Sequence, residues 1–434
     1  MELQRFTADV VVTCDMDNSV FAPGVVDTAD GKITWVGASQ DAPPVDDAVS
    51  VADVGGLLMP GLVNAHCHTP MTLMRGSGDG LPLHRWLTEA MWPREGRMTP
   101  EDAWWGMTLG SAEMLLAGVT TSCEMYLFEE AMVDAVMESG ARLVMTPGVV
   151  SGLHSSGSDR TEEVSNFFSK YHDPTGRITV GIGPHSAYDL GIAKVVEMAE
   201  LAQSLDAILH LHLAETREEN VELEATYGRS ITAILHDNGV FDSRVLAAHC
   251  VWVDNADIAL LAADNVAVAH CPISNMRLGC GIAPLTAMKK AGVIVGYGTD
   301  GPASNGSLDL WEEVKMAALL ARVHALDSTV VSTVETLTMA TRDSAAAVGL
   351  KDTGYLAPGT TLDMIRMDLG HTSFVPVTEP DELLAHVAWS GSTRRVTDVW
   401  VAGEKVVSDG EMLTVDMERV IAEVGKRALR LARG

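Results

Sequence analysis

The feature that most constrains the fold is a repeated alternation of apolar, strand-like runs with helical stretches between residues 62 and 299. The runs are rich in Val, Ile, Leu and Ala, which is typical of parallel strands buried on both faces. Eight such runs, each followed by a helical pattern, predict an α/β protein with a (β/α)8 or TIM barrel. The predicted strands are residues 62–65, 119–123, 142–150, 178–183, 208–213, 245–249, 266–270 and 294–299.

Both ends of the chain carry shorter apolar runs separated by turn sequences. Neither end is large enough to bury a core alone, so we expect them to pair into one small β-sandwich. At the C-terminus, Val420, Val424 and Ala428 recur at helical spacing among basic residues, which predicts a docked amphipathic helix. The predicted domains are residues 1–58 (sandwich, first part), 59–355 (barrel) and 356–434 (sandwich, second part, and terminal helix).

Composition limits the possible partners and the compartment. The formal net charge is −29, with 59 acidic and 30 basic side chains, a field that repels nucleic acid and anionic membranes. The first residues do not resemble a signal peptide and no apolar run is long enough to span a bilayer, so we expect a cytoplasmic protein. The cysteines form no C-x-x-C pair and are interpreted as small buried residues: Cys14, Cys67, Cys123, Cys250, Cys271 and Cys280.

Polar residues concentrate where the predicted strands end. In a barrel these ends converge on one mouth, so residues distant in sequence become neighbours. Several imidazoles and two carboxylates at one mouth predict a metal-dependent active site. The residues concerned are His66 and His68 after strand one, His185 after strand four, His212 and Glu215 after strand five, His249 after strand six, and Asp300 after strand eight.

A mononuclear hydrolytic site needs three or more protein ligands and an open position for water. His66, His68, His212 and Asp300 meet this requirement, and Zn²⁺ accepts both imidazole and carboxylate, although Fe²⁺ and Mn²⁺ share such ligands. Strand four offers His185 but no bridging lysine or carboxylate, so one metal is expected rather than two. Taken alone, the His66 and His68 pair fits a buried structural strand equally well. His210 and His270 are interpreted as structural core histidines.

Several segments resemble the amidohydrolase superfamily, within its branch of purine-nucleoside and triazine hydrolases. They are residues 60–68 (PGLVNAHCH), 212–215 (HLAE), 270–275 (HCPISN) and 298–301 (GTDG). Residues 71–76 (MTLMRG), 92–95 (WPRE) and 303–309 (ASNGSLD) are more narrowly similar to the 5′-methylthioadenosine/S-adenosylhomocysteine deaminases. The resemblance covers nearly the whole chain and implies a nucleoside substrate and a homodimer or homotetramer.

The resemblance also implies substrate contacts. Glu95 would hold the ribose hydroxyls, His185 would contact the nucleoside, and Arg160 would lie near the 5′ substituent. Trp86 and Trp92 lie with Glu95 on the long connection after strand one, where we expect substrate identity to be decided.

One departure from the family pattern bears on the substrate. Members that accept a homocysteine-bearing nucleoside show Thr-Arg-Gly after strand three, whereas this chain has Thr-Pro-Gly at 146–148. Proline cannot pair with a carboxylate. Adenosine, 5′-methylthioadenosine or 5′-deoxyadenosine is therefore favoured over S-adenosylhomocysteine.

The hypothesis is hydrolytic deamination. A metal lowers the pKa of water, Asp300 accepts its proton, Glu215 protonates a ring nitrogen, and His249 orients the attacking oxygen. The alternatives are an enzyme of the same branch acting on a guanine-like, pterin or triazine ring, a dinuclear amidase or lactamase, and a non-catalytic binding protein.

Overall fold

The computed structural model describes residues 3–46, 49–151, 160–390 and 396–433. Its strands are β1 (Leu3–Ala8), β2 (Val10–Val12), β3 (Val20–Phe21), β4 (Gly24–Ala29), β5 (Lys32–Ala38), β6 (Ser50–Asp53), β7 (Leu57–Pro60), β8 (Leu62–Cys67), β9 (Val119–Tyr126), β10 (Arg142–Val149), β11 (Ile178–Val180), β12 (Gly183–Pro184), β13 (Ile208–Leu213), β14 (Arg244–His249), β15 (Ala267–His270), β16 (Val295–Tyr297), β17 (Met364–Met367), β18 (Val396–Val401), β19 (Glu404–Ser408) and β20 (Glu411–Met412).

The α-helices are α1 (Leu83–Arg85), α2 (Trp92–Glu95), α3 (Pro100–Leu116), α4 (Glu129–Ser139), α5 (Arg160–Tyr171), α6 (Ala187–Leu190), α7 (Ile192–Ser204), α8 (Arg217–Tyr227), α9 (Ile231–Asp237), α10 (Asn255–Ala263), α11 (Pro272–Arg277), α12 (Leu285–Lys290), α13 (Leu310–Ala325), α14 (Thr333–Met339), α15 (Arg342–Ala347), α16 (Pro380–Ala385) and α17 (Met417–Arg433). A 3-10 turn (Thr69–Met74) and a π-helical turn (Trp86–Met91) lie in the connection after β8.

The central strands are parallel and alternate with helices, so the predicted α/β class is confirmed. One sheet runs in the order β8, β9, β10, β11, with β12 beside β10, and a second runs β13, β14, β15, β16. The predicted fourth strand is thus divided between β11 and β12. Nearly all residues of these strands are buried, so both faces of the sheets are covered.

Main-chain hydrogen bonds join the two sheets. The N–H of His210 donates to the carbonyl of Ile182 at 2.8 Å, and the N–H of His212 donates to the carbonyl of His185 at 2.9 Å. On the opposite side, the N–H of Asp300 donates to the carbonyl of His66 at 3.0 Å. Strand ends from both sheets are therefore hydrogen-bonded to one another around the site.

Two further sheets come from the chain ends. The first runs in the order β5, β4, β1, β6, and the second runs β20, β19, β18, β17, β7, β2, β3, so it interleaves strands from both termini. A shared buried cluster lies between them, including Phe6, Val26 and Trp400, with the Phe6 and Trp400 rings edge to face at 5.3 Å. This cluster gives the terminal strands a core that neither end supplies alone.

Helices α3 and α17 follow the local sequence signals. Thr99 caps α3 in a capping box with Asp102, as the Thr-Pro-Glu-Asp sequence indicates. The terminal helix α17 buries Val420 and Val424, and Arg427 and Arg430 bind the fully buried carboxylate of Asp102. The predicted docked helix is therefore present, and it packs on α3 and on the Thr69–Met74 turn.

The six cysteines are all buried and free, as expected. Among the described residues, none of the helices combines the length and apolar character needed to cross a membrane.

Candidate active site

The structure gathers five of the predicted residues at the carboxyl ends of the parallel strands. Donor atoms of His66, His212, His249 and Asp300 all lie within 4.8 Å of one another. His68 joins them, because its Nε2 lies 3.2 Å from Asp300 Oδ1 and 3.3 Å from His212 Nε2. The other histidine of this pair, His66, has its Nε2 3.4 Å from the same Asp300 oxygen.

Hydrogen bonds at Nδ1 turn the Nε2 atoms of three histidines toward this centre. A carbonyl oxygen only accepts, so a neutral imidazole that bonds one through Nδ1 carries its proton there and leaves an Nε2 lone pair. His68 donates to the Met125 carbonyl (2.6 Å), His212 to the His185 carbonyl (2.9 Å), and His249 to the Asn275 side-chain oxygen (2.8 Å).

These donors fit a divalent cation. The Nε2 atoms of His66 and His249 are buried and have no hydrogen-bond partner in the structure, a costly arrangement unless another group completes them. Asp300 is held from its other side, since its Oδ2 accepts from the hydroxyls of Ser274 (2.6 Å) and Ser304 (2.9 Å). Imidazole and carboxylate together are the donors that zinc accepts.

Electrostatics also favour positive charge at the centre. Burial opposes ionisation of Asp300, but its close contacts with the His66 and His68 imidazoles outweigh it and hold the pKa of Asp300 well below its usual range. Burial likewise opposes a charge on His68, yet bonding to Asp300 raises the pKa of His68 to about 9, and a bound cation would take the place of that proton. Burial lowers the pKa of His66 to about 3, so that ring is neutral.

The backbone is strained at the same place. His249 has a φ of 74° and Asp300 a φ of 59°, in the left-handed region that residues other than glycine rarely adopt. Ala214, immediately before Glu215, has a φ of 49°. Such conformations persist only where surrounding contacts hold them, and they cluster at functional sites.

Glu215 lies beside this cluster at the end of β13. Its Oε1 is 3.9 Å from His249 Nε2, and burial raises the pKa of its carboxyl group. The Glu215 N–H donates to the buried carboxylate of Glu219 at 3.0 Å, which fixes the turn that carries it. Burial raises the pKa of Glu219 to about 8.

A chamber opens above the donor cluster, and the connection after β8 forms one of its walls. Glu95 is buried in this wall and accepts a hydrogen bond from the Tyr126 hydroxyl at 2.8 Å. Burial raises the pKa of Glu95. Trp86, Trp92 and His185 line the same chamber, so these predicted residues are brought together with the donor cluster.

Arg160 is not brought into the chamber. Its guanidinium binds the carboxylates of Glu129 (2.9 Å) and Glu163 (3.1 Å) and the carbonyl of Gly148 (3.2 Å). Gly148 lines the chamber, so Arg160 stands behind that wall, where its charge is balanced by the two carboxylates. A contact between Arg160 and the 5′ substituent stays a prediction, and it would require this network to open.

Several supporting residues escaped the sequence analysis. Asn275 and Ser274 hold His249 and Asp300, and their place in the HCPISN segment after strand seven could have indicated this. Tyr126 and the Met125 carbonyl lie at the end of β9, which carries no obvious motif. His210 is buried as expected, but it also bonds His66.

The comparisons with known proteins agree with this geometry. The model of the amidohydrolase family matches residues 57–406, and the chain belongs to that family. An α/β barrel with an additional domain is the architecture that this membership and the solved relatives imply.

Individual relatives narrow the comparison. A protein of Pelotomaculum thermopropionicum named 5-methylthioadenosine/S-adenosylhomocysteine deaminase is 39% identical over 97% of both chains. The structure of a zinc-bound adenosine deaminase from Xanthomonas campestris superposes with a TM-score of 0.94 at 32% identity, covering 99% of both chains. A zinc complex of atrazine chlorohydrolase from Arthrobacter aurescens gives a TM-score of 0.89 at 25% identity, covering 98% of this chain and 100% of the other.

Proposed function

We propose that this protein is a metal-dependent aminohydrolase that converts an adenosine-type nucleoside into its inosine analogue and ammonia. The observation that carries the proposal is the position of Glu95, a buried carboxylate facing the same chamber as the histidine and aspartate cluster. A carboxylate there can accept hydrogen bonds from two vicinal hydroxyls, which ribose has and a free base or a triazine lacks. The deaminase names of the relatives support the same reaction.

His66, His68, His212 and Asp300 are the proposed metal ligands, and Zn²⁺ is the proposed ion, with Fe²⁺ and Mn²⁺ as alternatives. The zinc in the Xanthomonas campestris structure supports this choice. When bound, such an ion lowers the pKa of water and so makes a nucleophile available at neutral pH. His249 is left out of the ligand set because it also faces Glu215, at 3.9 Å.

The remaining steps belong to the side chains. Asp300, which Ser274 and Ser304 hold in place, accepts the proton of the attacking water. Glu215, whose pKa is raised by burial, donates a proton to a ring nitrogen and then assists departure of ammonia. His249 orients the attacking oxygen and stabilises the charge that develops on it.

The chamber suits an uncharged 5′ substituent. Among the described residues that line it there is no lysine or arginine to pair with an amino-acid carboxylate, and Arg160 is already bound to Glu129 and Glu163. Apolar side chains including Met71, Leu127 and Val150 line it instead. Adenosine, 5′-methylthioadenosine and 5′-deoxyadenosine are therefore the proposed substrates, with S-adenosylhomocysteine weaker.

A substrate panel tests this proposal. The metal-loaded protein is given adenosine, 5′-methylthioadenosine, 5′-deoxyadenosine, S-adenosylhomocysteine, guanine and a chlorinated triazine, and release of ammonia or chloride is followed. We expect the uncharged nucleosides to be deaminated and guanine and the triazine to be left intact. Hydrolysis of guanine or the triazine without nucleoside turnover would favour the related hydrolases instead, whose structural similarity makes them the second candidate.

Further features complete the proposal. The barrel closes as eight βα units spanning 59–355, and residues 1–58 and 356–434 form one sandwich. The pairing of β7 with β17, immediately before β8 begins, supports this division into two domains. The protein acts as a homodimer or homotetramer. It has no nucleic-acid or membrane partner, because a net charge of −29 repels both. A cytoplasmic location is supported by the six free cysteines.

A further inference from the structure

We propose that His210 is a positioning residue for metal binding, because it fixes which nitrogen of His66 carries the proton. Both rings are completely buried, and His210 Nε2 lies 2.8 Å from His66 Nδ1. The inference rests on the proposed metal site. It assigns a role to a histidine that lies beneath the chamber and touches neither substrate nor metal.

His66, His210 and Thr146 form a series of hydrogen bonds, and the bond made by Thr146 at its end fixes the direction of the others. The Thr146 hydroxyl donates to the main-chain carbonyl of Glu124 at 2.7 Å, since a carbonyl only accepts. The same hydroxyl oxygen lies 2.9 Å from His210 Nδ1 and, having spent its one proton, accepts from it. A neutral His210 with its proton on Nδ1 has a lone pair on Nε2.

That lone pair decides the state of His66. His210 Nε2 accepts from His66 Nδ1–H, so the neutral His66 ring has an Nε2 lone pair facing Asp300 and the other donors. The opposite orientation would place a proton on His66 Nε2, where it blocks metal binding. It would also break the hydrogen bond between Thr146 and Glu124.

His66 differs from the other proposed histidine ligands in this respect. His68 and His212 donate to main-chain carbonyls, which cannot donate in return and therefore fix the proton without help. The partner of His66 is an imidazole, which can donate or accept. Thr146 removes that ambiguity, with Cys123 Sγ at 3.7 Å from His210 Nδ1 as a more distant neighbour.

The test compares His210→Gln with His210→Met. The glutamine oxygen can accept from His66 while its amide group donates toward Thr146, whereas methionine fills similar space but offers no comparable acceptor. Co²⁺ is titrated into metal-free protein and its visible absorption is followed, so the readout does not depend on activity. We expect the Kd of His210→Met to rise about 10- to 100-fold and that of His210→Gln to stay near the wild-type value.

His270→Met is the matched control. His270 is also a buried strand-end histidine, but its Nδ1 has no hydrogen-bond partner in the structure. This variant should bind Co²⁺ like the wild type. Equal losses in all three variants, or wild-type affinity in His210→Met, would overturn the inference.

Thr146→Val keeps the test decisive if His210→Met does not fold. Valine has the shape of threonine without the hydroxyl, so it releases the proton on His210 while retaining packing. We expect Co²⁺ affinity to fall by several fold, and an unchanged affinity would contradict the proposed role of His210. A wild-type protein that binds no Co²⁺ would refute the metal site itself, which is a separate outcome.

Discussion

Two sides of the chamber are built differently: the end that carries the proposed metal ligands, called the metal end, and the wall that carries Glu95, called the nucleoside wall. At the metal end, side chains from strand ends are each held by a second group, as His68 is by Met125 and Asp300 is by Ser274. The wall is built on short helical turns after β8, and Glu95, the carboxylate that faces the chamber from these turns, is held by the Tyr126 hydroxyl. In the proposed mechanism the chemistry is thus fixed by side chains at strand ends, whereas substrate identity depends on a connection that can change without disturbing them.

The largest expected effect separates chemistry from metal binding within the metal end. Glu215→Gln removes the proposed proton donor but keeps the shape and the ligands, so turnover should fall by about 10²- to 10⁴-fold with metal content unchanged. Metal is measured by elemental analysis and turnover by ammonia release. Glu218→Gln, on the exposed side of the same turn, is the control and should behave as the wild type. Near-normal turnover in Glu215→Gln would remove Glu215 from the mechanism.

The next effect is confined to the wall. Glu95→Gln loses a charged acceptor for the ribose hydroxyls, which corresponds to about a 10- to 100-fold loss in kcat/KM for adenosine. The same change should matter little for 2′,3′-dideoxyadenosine, which has no hydroxyls to bind. Metal content should not change, and Glu89→Gln on the exposed face of the same connection is the control. An equal loss on both substrates would contradict the ribose contact.

A smaller effect should appear where the two regions share strand β9. Tyr126→Phe removes the hydrogen bond to Glu95 while leaving the Met125 carbonyl on His68. We expect KM for adenosine to rise about 2- to 10-fold, because one neutral hydrogen bond is lost, and kcat to change less. Tyr171→Phe, far from the chamber, serves as the comparison. A fall in metal content would show that the two regions are not separable at β9.

The smallest effect concerns stability rather than activity. Burial raises the pKa of Glu219 to about 8, above the ordinary value of 4.5 that applies to the unfolded chain. Between these values the folded protein holds a proton that the unfolded chain has released. Its contribution is therefore complete below pH 4.5 and is lost as the pH rises toward 8, by at most about 1.4 kcal/mol per pH unit.

Urea unfolding at several pH values checks this expectation. The free energy of unfolding of the wild type should fall relative to that of Glu219→Gln as the pH rises from 5 to 8. Glu222→Gln, exposed on the same helix, should follow the wild type. A difference between wild type and Glu219→Gln that is constant with pH would mean that Glu219 titrates normally.

The same contrast explains how much the sequence could predict. Strand direction brings His66, His212 and Asp300 to one mouth, so their meeting follows from the alternation of strands and helices alone. The metal ligands could be proposed because their spacing depends on the fold rather than on detailed packing.

Supporting contacts are less predictable. Whether Tyr126 reaches Glu95, or His210 reaches His66, depends on distances between side chains of different elements, which no periodicity encodes. The position of Arg160 behind Gly148 follows from its pairing with Glu129, a residue on another helix. The interpretation of His210 as a packed core residue was incomplete for the same reason.

The most direct test of the central claim is the source of the oxygen that enters the product and the fate of the substrate's amino nitrogen. Metal-loaded protein is incubated with 5′-methylthioadenosine in water enriched in oxygen-18, and the product is examined by mass spectrometry. The account predicts one ammonia released and one heavy oxygen on the ring carbon that bore the amino group, with this conversion lost after metal removal and restored by Zn²⁺. Unchanged nucleoside in the presence of bound metal, or cleavage at the glycosidic bond instead, would contradict it.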